Sequence, residues 1–434
     1  MAVYRLLANL YPYRPAAFVA LRAETFPVGR SSSNVKHNVT YRIFVMPLAL
    51  WALAIGAFGI GTTEFIIAGL LPVIAIDFNV TIPVAGYLAT SYALGVFVGA
   101  PALIILGSKV PRKAMLVLLM LLFVAGNLVT AFAPTLGIAI LGRIITSMTH
   151  GAFFGLGSII AADMVAPSKR VRAIAFMFMG LTVANLIGVP AGTWIGQHLS
   201  WRDAFMAIAV IGVITVISIG MLIPHQPKPR NQRFAHEFNA FKNVNVLLAM
   251  GITVFGPGAF FTSITYIAPM MTELAGYSES SLAWLMLLFG LGLFTGNQLG
   301  GRYADRALMP MLYITLAAQA VVLLVFNFSA HSQVMSALCI FLMAAFGFAT
   351  VSPIQKLVMD KARAAGAPTL AAAVNIGLFN LGNAVGAWLG GAVIAAGFGL
   401  QAPNWAGAIL SVIALILAVL SGLTDKTGHA AELN

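Results

Sequence analysis

The run Met46 to Pro72 holds a single ionisable side chain, Glu64. The stretch is long enough to cross a ~30 Å hydrocarbon core as a helix. A carboxyl group at that depth costs about 2.5 kcal/mol or more unless it meets a partner or water. The chemistry it offers is proton carriage and charge pairing. A second apolar run, around GRIITSMTHGAFFG, holds Arg143. Counted from the nearer ends of their runs at 1.5 Å per residue, both charges lie roughly 10 to 12 Å deep. They are therefore expected at one level, sharing a partly desolvated ion pair that is either a titrating site or a permanent lock. His150 follows Arg143 at a spacing that returns to the same helix face. A neutral imidazole there relays a proton, binds substrate or simply packs. Asn127 and Asn380 are neutral polar groups that need partners at depth, interhelical hydrogen bonds being the plain alternative to a substrate contact. Phe154, with Phe65, Phe153 and Trp388, adjoins these positions as a candidate wall of an apolar cavity, or as a lipid-facing or packing residue.

The elements that must position these groups follow from composition. Of 434 residues, 60% are hydrophobic and 8% charged, against about 25% charged in soluble proteins. The fold class is an all-α polytopic membrane protein. Hydropathy partitions the chain into twelve spans, near 47–72, 84–106, 113–134, 136–163, 171–196, 204–223, 246–273, 281–301, 309–328, 332–355, 369–396 and 404–423. The termini and alternate connections then carry all of the 24 Lys and Arg except Arg143 and Arg202. This asymmetry predicts that both termini are cytoplasmic and supports an even number of spans. The net charge of +12 is thus topological, and no nucleic-acid partner is expected. Cys339, the single cysteine, excludes an intrachain disulfide and a thiolate metal site and reads as a packing residue.

Residues 1–45 are basic, with a Ser31-Ser32-Ser33 run and an apolar stretch, Ala16 to Leu21, shorter than a secretory h-region of ~7–15 residues. They read as a disordered basic tail, as a start assigned upstream of a true start at Met46, or as an organellar targeting segment. Two halves, 46–223 and 246–423, flank a hydrophilic cytoplasmic linker at 224–245, and 424–434 form a cytoplasmic tail. Gly95 and Gly99 precede Lys109 at the same spacing with which Gly292 and Gly296 precede Arg306. The halves are therefore expected to be duplicated repeats with a site between them. Glycines at helix-packing spacing recur in the fifth span (Gly188, Gly192, Gly196) and the eleventh (Gly382, Gly386, Gly390), where they permit close approach. Pro190 is expected to kink the fifth span, either for packing alone or as part of a sliding seal.

Four places carry a resemblance. Gly301, Asp305 and Arg306 keep the second-half copy of a G-x-x-x-D-R-x-G-R-K loop; Arg143 is an arginine of the fourth span; Gly180, Gly188, Pro190, Gly192 and Gly196 form a glycine-proline run; Trp201-Arg202 with Phe205 matches WRxxF. On these residues the chain, over about 46–423, resembles the major facilitator superfamily, and within it the twelve-span drug:proton antiporters of the arabinose-efflux-permease type. The resemblance implies twelve transmembrane helices in two six-helix pseudo-symmetric halves, with spans one and four side by side on a central cavity. It also places the neighbour of the fifth-span glycines in the opposite half. The first-half loop departs from the pattern: Ser108 stands where the acid belongs, with Ile104 and Pro111 at glycine positions, while Lys109, Arg112 and Lys113 keep the charge. The first-half lock of the cytoplasmic gate is therefore expected to be weakened, with Asp305 carrying more of it.

No G-x-S-x-G, Walker loop or G-x-G-x-x-G occurs, and His236-Glu237 lacks a second zinc-motif histidine. A membrane-embedded enzyme is disfavoured, and a channel fits duplicated halves with a lone acid less well than alternating access does. The expectation is a proton-coupled exporter of a small molecule in the cytoplasmic membrane, acting as a monomer in the lipid bilayer. No cofactor or metal is expected beyond the proton gradient; a proton symporter of the same fold is the alternative. Glu64, Arg143, His150, Asn127, Phe154 and Asn380 are the coupling and substrate candidates. Gly188, Pro190, Gly192, Gly301, Asp305, Arg306, Lys109 and Arg112 are the gating and packing candidates.

Overall fold

A computed structural model describes residues 48–107, 110–224, 242–365 and 368–432. The expectations for 1–45, for Lys109 and for most of the 224–245 linker lie outside the described residues. Among those described, twelve helices are long and apolar enough to cross a membrane. They are α1 (Leu48–Asp77), α2 (Tyr87–Leu106), α3 (Arg112–Ala131), α4 (Leu136–Asp163), α5 (Pro167–His198) and α6 (Trp201–Leu222). The second six are α7 (Val244–Ile264), α8 (Leu282–Ala304), α9 (Leu308–Ser329), α10 (Gln333–Ala364), α11 (Pro368–Val393) and α12 (Ala402–Glu432). No strand occurs among the described residues.

Local sequence explains several starts. Thr135 caps α4, Ser200 caps α6 and Ser332 caps α10, each side chain accepting from a backbone N–H of the first turn. Several boundaries differ from hydropathy, α10 reaching Ala364 and α12 continuing through the expected tail to Glu432 among them, and two bear on the site. The helix α1 runs through Pro72 to Asp77, since a proline near a helix end removes one hydrogen bond and does not stop the turn. This puts Glu64 near the middle of α1, deeper than its distance from Pro72 implies. The seventh span, read as continuous over 246–273, breaks after Ile264: Ile267–Pro269 and a π turn, Met270–Leu274, follow as separate segments.

The WRxxF residues fasten the non-basic end. Arg202 bonds Asp77 at 2.6 Å and the Ala133 carbonyl at 3.0 Å, while the Trp201 indole N–H donates to Asp77 at 3.2 Å. The end of α1, the α3–α4 turn and the start of α6 are thereby tied together. At the basic end Arg112 pairs with Asp163 at 3.0 Å and Lys113 donates to the Gly220 carbonyl at 2.7 Å, joining α3 to α4 and α6.

Glycine contacts fix the internal register. Gly95 and Gly99 bring α2 against Ser147 and Met148 of α4, and Gly292 and Gly296 bring α8 against Ala344 and Ala345 of α10. Gly180 rests on the Ala54 carbonyl of α1, as Gly382 of α11 rests on the Val254 carbonyl of α7. The same helices thus pair in the same register in both repeats. Followed residue by residue, this correspondence matches Thr63 to Ser263, Glu64 to Ile264, Tyr92 to Phe289 and Arg143 to Ile340.

One expectation is corrected by the same contacts. Gly188, Gly192 and Gly196 face Thr62, Ile66 and Leu70 of α1, within their own half. The contact of α5 with the opposite half is made elsewhere on the helix, where the Asn185 carbonyl meets Gly290 of α8. A helix wedged between two neighbours needs its small residues on the tighter side, and here that side is α1. Pro190 follows a π turn, Ala184–Gly188, an insertion that relieves the clash between a proline ring and the preceding turn.

Candidate functional site

Arg143 is completely buried on α4. A desolvated guanidinium needs acceptors for its donors, and the ones it finds are mostly backbone. Its Nη1 donates to the Thr63 carbonyl at 2.7 Å and to the Thr63 hydroxyl at 3.1 Å, and its Nε to the Leu88 carbonyl at 3.3 Å. The cation also lies over the Tyr92 ring, 4.1 Å from its centroid, with Phe205 at 5.8 Å. One donor group, Nη2, is buried with no hydrogen-bond partner.

Glu64, adjoining Thr63, is half-buried. The expected ion pair with Arg143 is not formed: no Glu64 bridge occurs among the described residues, and the arginine is held instead by the carbonyl next to the acid. The two charges nonetheless lie within electrostatic reach of each other, and Glu64 of Tyr92. The guanidinium therefore keeps an open donor beside a carboxyl group that is not committed to any partner.

The other candidates extend this cage. The Thr63 hydroxyl donates to Asn127 Oδ1 at 2.9 Å, and Asn127 Nδ2 donates to the Phe123 carbonyl at 2.8 Å, so α3 fixes the orientation of Thr63. His150 Nδ1 and the Tyr92 hydroxyl are 3.2 Å apart. Phe154 packs on His150 at 5.2 Å and stacks on Phe178 at 5.0 Å. Arg143 and His150 do share a face, as their spacing predicts, and Tyr92 is the residue that links them. A signal for Tyr92 existed: Gly95 and Gly99 mark the face of α2 turned to α4, and Tyr92 lies one turn before Gly95 on that face. Nothing in the sequence marks the carbonyls of Thr63 and Leu88.

Asn380 lies on α11 of the opposite half, buried, with Nδ2 donating to the Ile376 carbonyl at 3.0 Å and Oδ1 unpartnered. Phe65, next to Glu64, reaches across to Phe261, Phe289 and Phe348 with centroids 5.7, 5.9 and 6.3 Å away. Phe289 also stacks on Phe260 at 5.7 Å. The second repeat thus presents isoleucines where the first presents its charges, and Phe289 where the first has Tyr92. Trp388 does not belong to this wall; it is 53% exposed on the outer surface of the bundle.

Of the gating candidates, Asp305 pairs with Lys356 at 3.5 Å, linking α8 to α10, while Arg306 is exposed. Gly301 is exposed with nothing packed against it; Gly300, its neighbour, makes the close approach to Ala349. At the non-basic end Tyr266 closes the seam between the halves. It is wedged against Gly86 and Gly391, and its hydroxyl donates to the Ala387 carbonyl at 2.8 Å.

Comparison with known proteins adds a family and a fold. A family model described as Major Facilitator Superfamily matches residues 53–379. The inner membrane transport protein YdhP of Escherichia coli (strain K12) is 44% identical over 372 residues, covering 86% of this chain and 95% of that protein. A probable sugar efflux transporter of Pasteurella multocida (strain Pm70) is 28% identical over 382 residues, covering 87% of this chain and 92% of that one. Among solved structures, the D-xylose-proton symporter aligns with a TM-score of 0.70 at 14% identity, covering 86% of this chain and 96% of that one; the likeness concerns the fold.

Proposed function

The chain belongs to the Major Facilitator Superfamily, a family of transporters and not of enzymes, and we propose that it exports a small molecule in exchange for protons. The observation that carries this reading is the half-buried, uncommitted carboxyl group of Glu64 beside a buried arginine with one open donor. Ionised, the carboxylate is drawn to Arg143 Nη2; protonated, it loses that attraction and is free to turn away. The cage of Thr63, Leu88, Tyr92 and Asn127 holds Arg143 in place through both states, so only the acid has to move. His150 is within reach of a proton passed along Tyr92. The direction, outward, is supported by the relative named as an efflux transporter.

In this reading the protein sits in the cytoplasmic (inner) membrane with both termini in the cytoplasm, and the non-basic end faces outward. It works as a monomer by rocking the halves 46–223 and 246–423 about the site, driven by the proton gradient with no cofactor. Transport into proteoliposomes with an imposed pH gradient, across a panel of small molecules, tests it. Accumulation of a compound against its gradient, driven by opposing proton flow, is the expected result. Accumulation in the same direction as the protons establishes a symporter, and gradient-independent passage excludes coupling.

A further inference from the structure

We propose that Asn380 and Asn383 of α11 form a substrate subsite of the second half, one that takes an uncharged group carrying both a hydrogen-bond donor and an acceptor, such as a carboxamide or a pair of hydroxyls. This rests on the transporter reading above and adds the chemical class of the cargo.

Asn383 is fully buried, and neither its Nδ2 nor its Oδ1 has a partner; Asn380, 4% exposed, leaves its Oδ1 unpaired. Two other buried asparagines of this half are satisfied. Asn375 accepts from Thr253 at 2.6 Å and donates to Gln355 at 2.6 Å, and Asn404 accepts from Ser263 at 2.6 Å and lies 3.5 Å from Met270 Sδ. Buried amides with open donors and acceptors call for a specific reason.

Position supplies one. Ile376 meets Gly151 of α4, and Gly377 meets Phe97 of α2, so this side of α11 faces the first half. Asn380 and Asn383 follow Ile376 at one and two turns on the same side. Pro83 lies against Gly391 and Phe97 against Gly377, the same number of residues apart on each of the two antiparallel segments of the seam. That register brings Asn383 level with Ser91 and Tyr92, hence level with the Arg143 cage. The second repeat puts Ile264, Phe289 and Ile340 where the first has Glu64, Tyr92 and Arg143, and stacks Phe289 on Phe260, which in turn contacts Phe261 and Phe348. Two open amides on the seam side of α11, in a repeat that has no acid or arginine at the corresponding positions, suit a neutral polar group.

Purified full-length protein in lipid nanodiscs tests the subsite at one pH and without a gradient, so its outcome is separate from that of proton coupling. First, thermal unfolding without ligand compares wild type with Asn383→Leu and with the smaller Asn383→Val. An amide kept open for substrate has no structural partner to lose, so at least one variant melts at or above the wild-type temperature. Failure of both to fold, or melting of both several degrees lower, shows a structural amide and overturns the proposal. Second, N-acetylglucosamine serves as the neutral donor–acceptor probe and tetraphenylphosphonium as a charged probe without hydrogen bonds. Protection by N-acetylglucosamine that weakens at least tenfold in the Asn383 variants is expected. Protection by tetraphenylphosphonium alone, or equal N-acetylglucosamine protection in wild type and variants, overturns it. If neither probe protects, the melting temperatures decide.

Discussion

Glu64 and Tyr92 make separable contributions, and substitution distinguishes them. Glu64→Gln keeps the volume and removes the titrating group, so folding is expected to persist. Gradient-driven export should fall to background while downhill exchange survives, both measurable in the same proteoliposomes; full coupled transport by this variant would remove the acid from the mechanism. Tyr92→Phe keeps the ring beneath the guanidinium and loses only the hydroxyl facing His150. A hydrogen bond is worth about 1 kcal/mol net, roughly a fivefold effect on rate. Tyr92→Ala also removes the cation's platform and should cost about tenfold more than Tyr92→Phe. Equal activity of Tyr92→Phe and Tyr92→Ala would mean that the ring does not position Arg143. Charges in apolar runs are conspicuous, which is why Glu64, Arg143 and His150 were legible in the sequence. The bonds that hold Arg143 were not, because the acceptors at Thr63 and Leu88 are main-chain oxygens that every residue possesses.

Among the elements, α5 touches α1 through its glycines and α8 through the Asn185 carbonyl, and the two contacts answer differently to added bulk. Gly192→Leu drives a side chain into Ile66 inside one half, where packing is needed to fold at all. The yield of monodisperse protein in fluorescence-detected size exclusion is expected to drop severalfold. Gly290→Val instead presses on a carbonyl across the seam between halves. Insertion should remain normal, with transport lost because the closed arrangement is disfavoured. A fully active Gly290→Val would show that this seam does not have to close. The glycine stripes themselves were readable as helix-packing spacing, yet their partner was not. Spacing specifies that a helix face is approached closely, and only the bundle decides which neighbour does so.

For the molecule as a whole, the Tyr266 seam predicts a state that can be trapped. Cysteines at Pro83 and Gly391 lie across the non-basic end where the helical turn Ile82–Ala85, just before α2, meets α11, and the native Cys339 is buried out of the way. Oxidation of the Pro83→Cys/Gly391→Cys protein at rest is expected to join them and arrest transport, with reduction restoring it; absence of the cross-link on denaturing gels would mean that this end is open at rest. Twelve spans and the paired repeats follow from hydropathy and glycine spacing, whereas the chemical inequality of the repeats appears only when packing matches Glu64 to Ile264 and Arg143 to Ile340. That inequality has an electrical consequence. With one acid, no counterpart in the second repeat and a neutral cargo, each cycle carries a net positive charge across the bilayer. Membrane voltage then drives the carrier as well as pH does, at about 2.3 kcal/mol per elementary charge for each 100 mV. A potassium diffusion potential set by valinomycin, with pH equal on both sides, should by itself power accumulation; a carrier deaf to that potential exchanges its proton for a charged cargo.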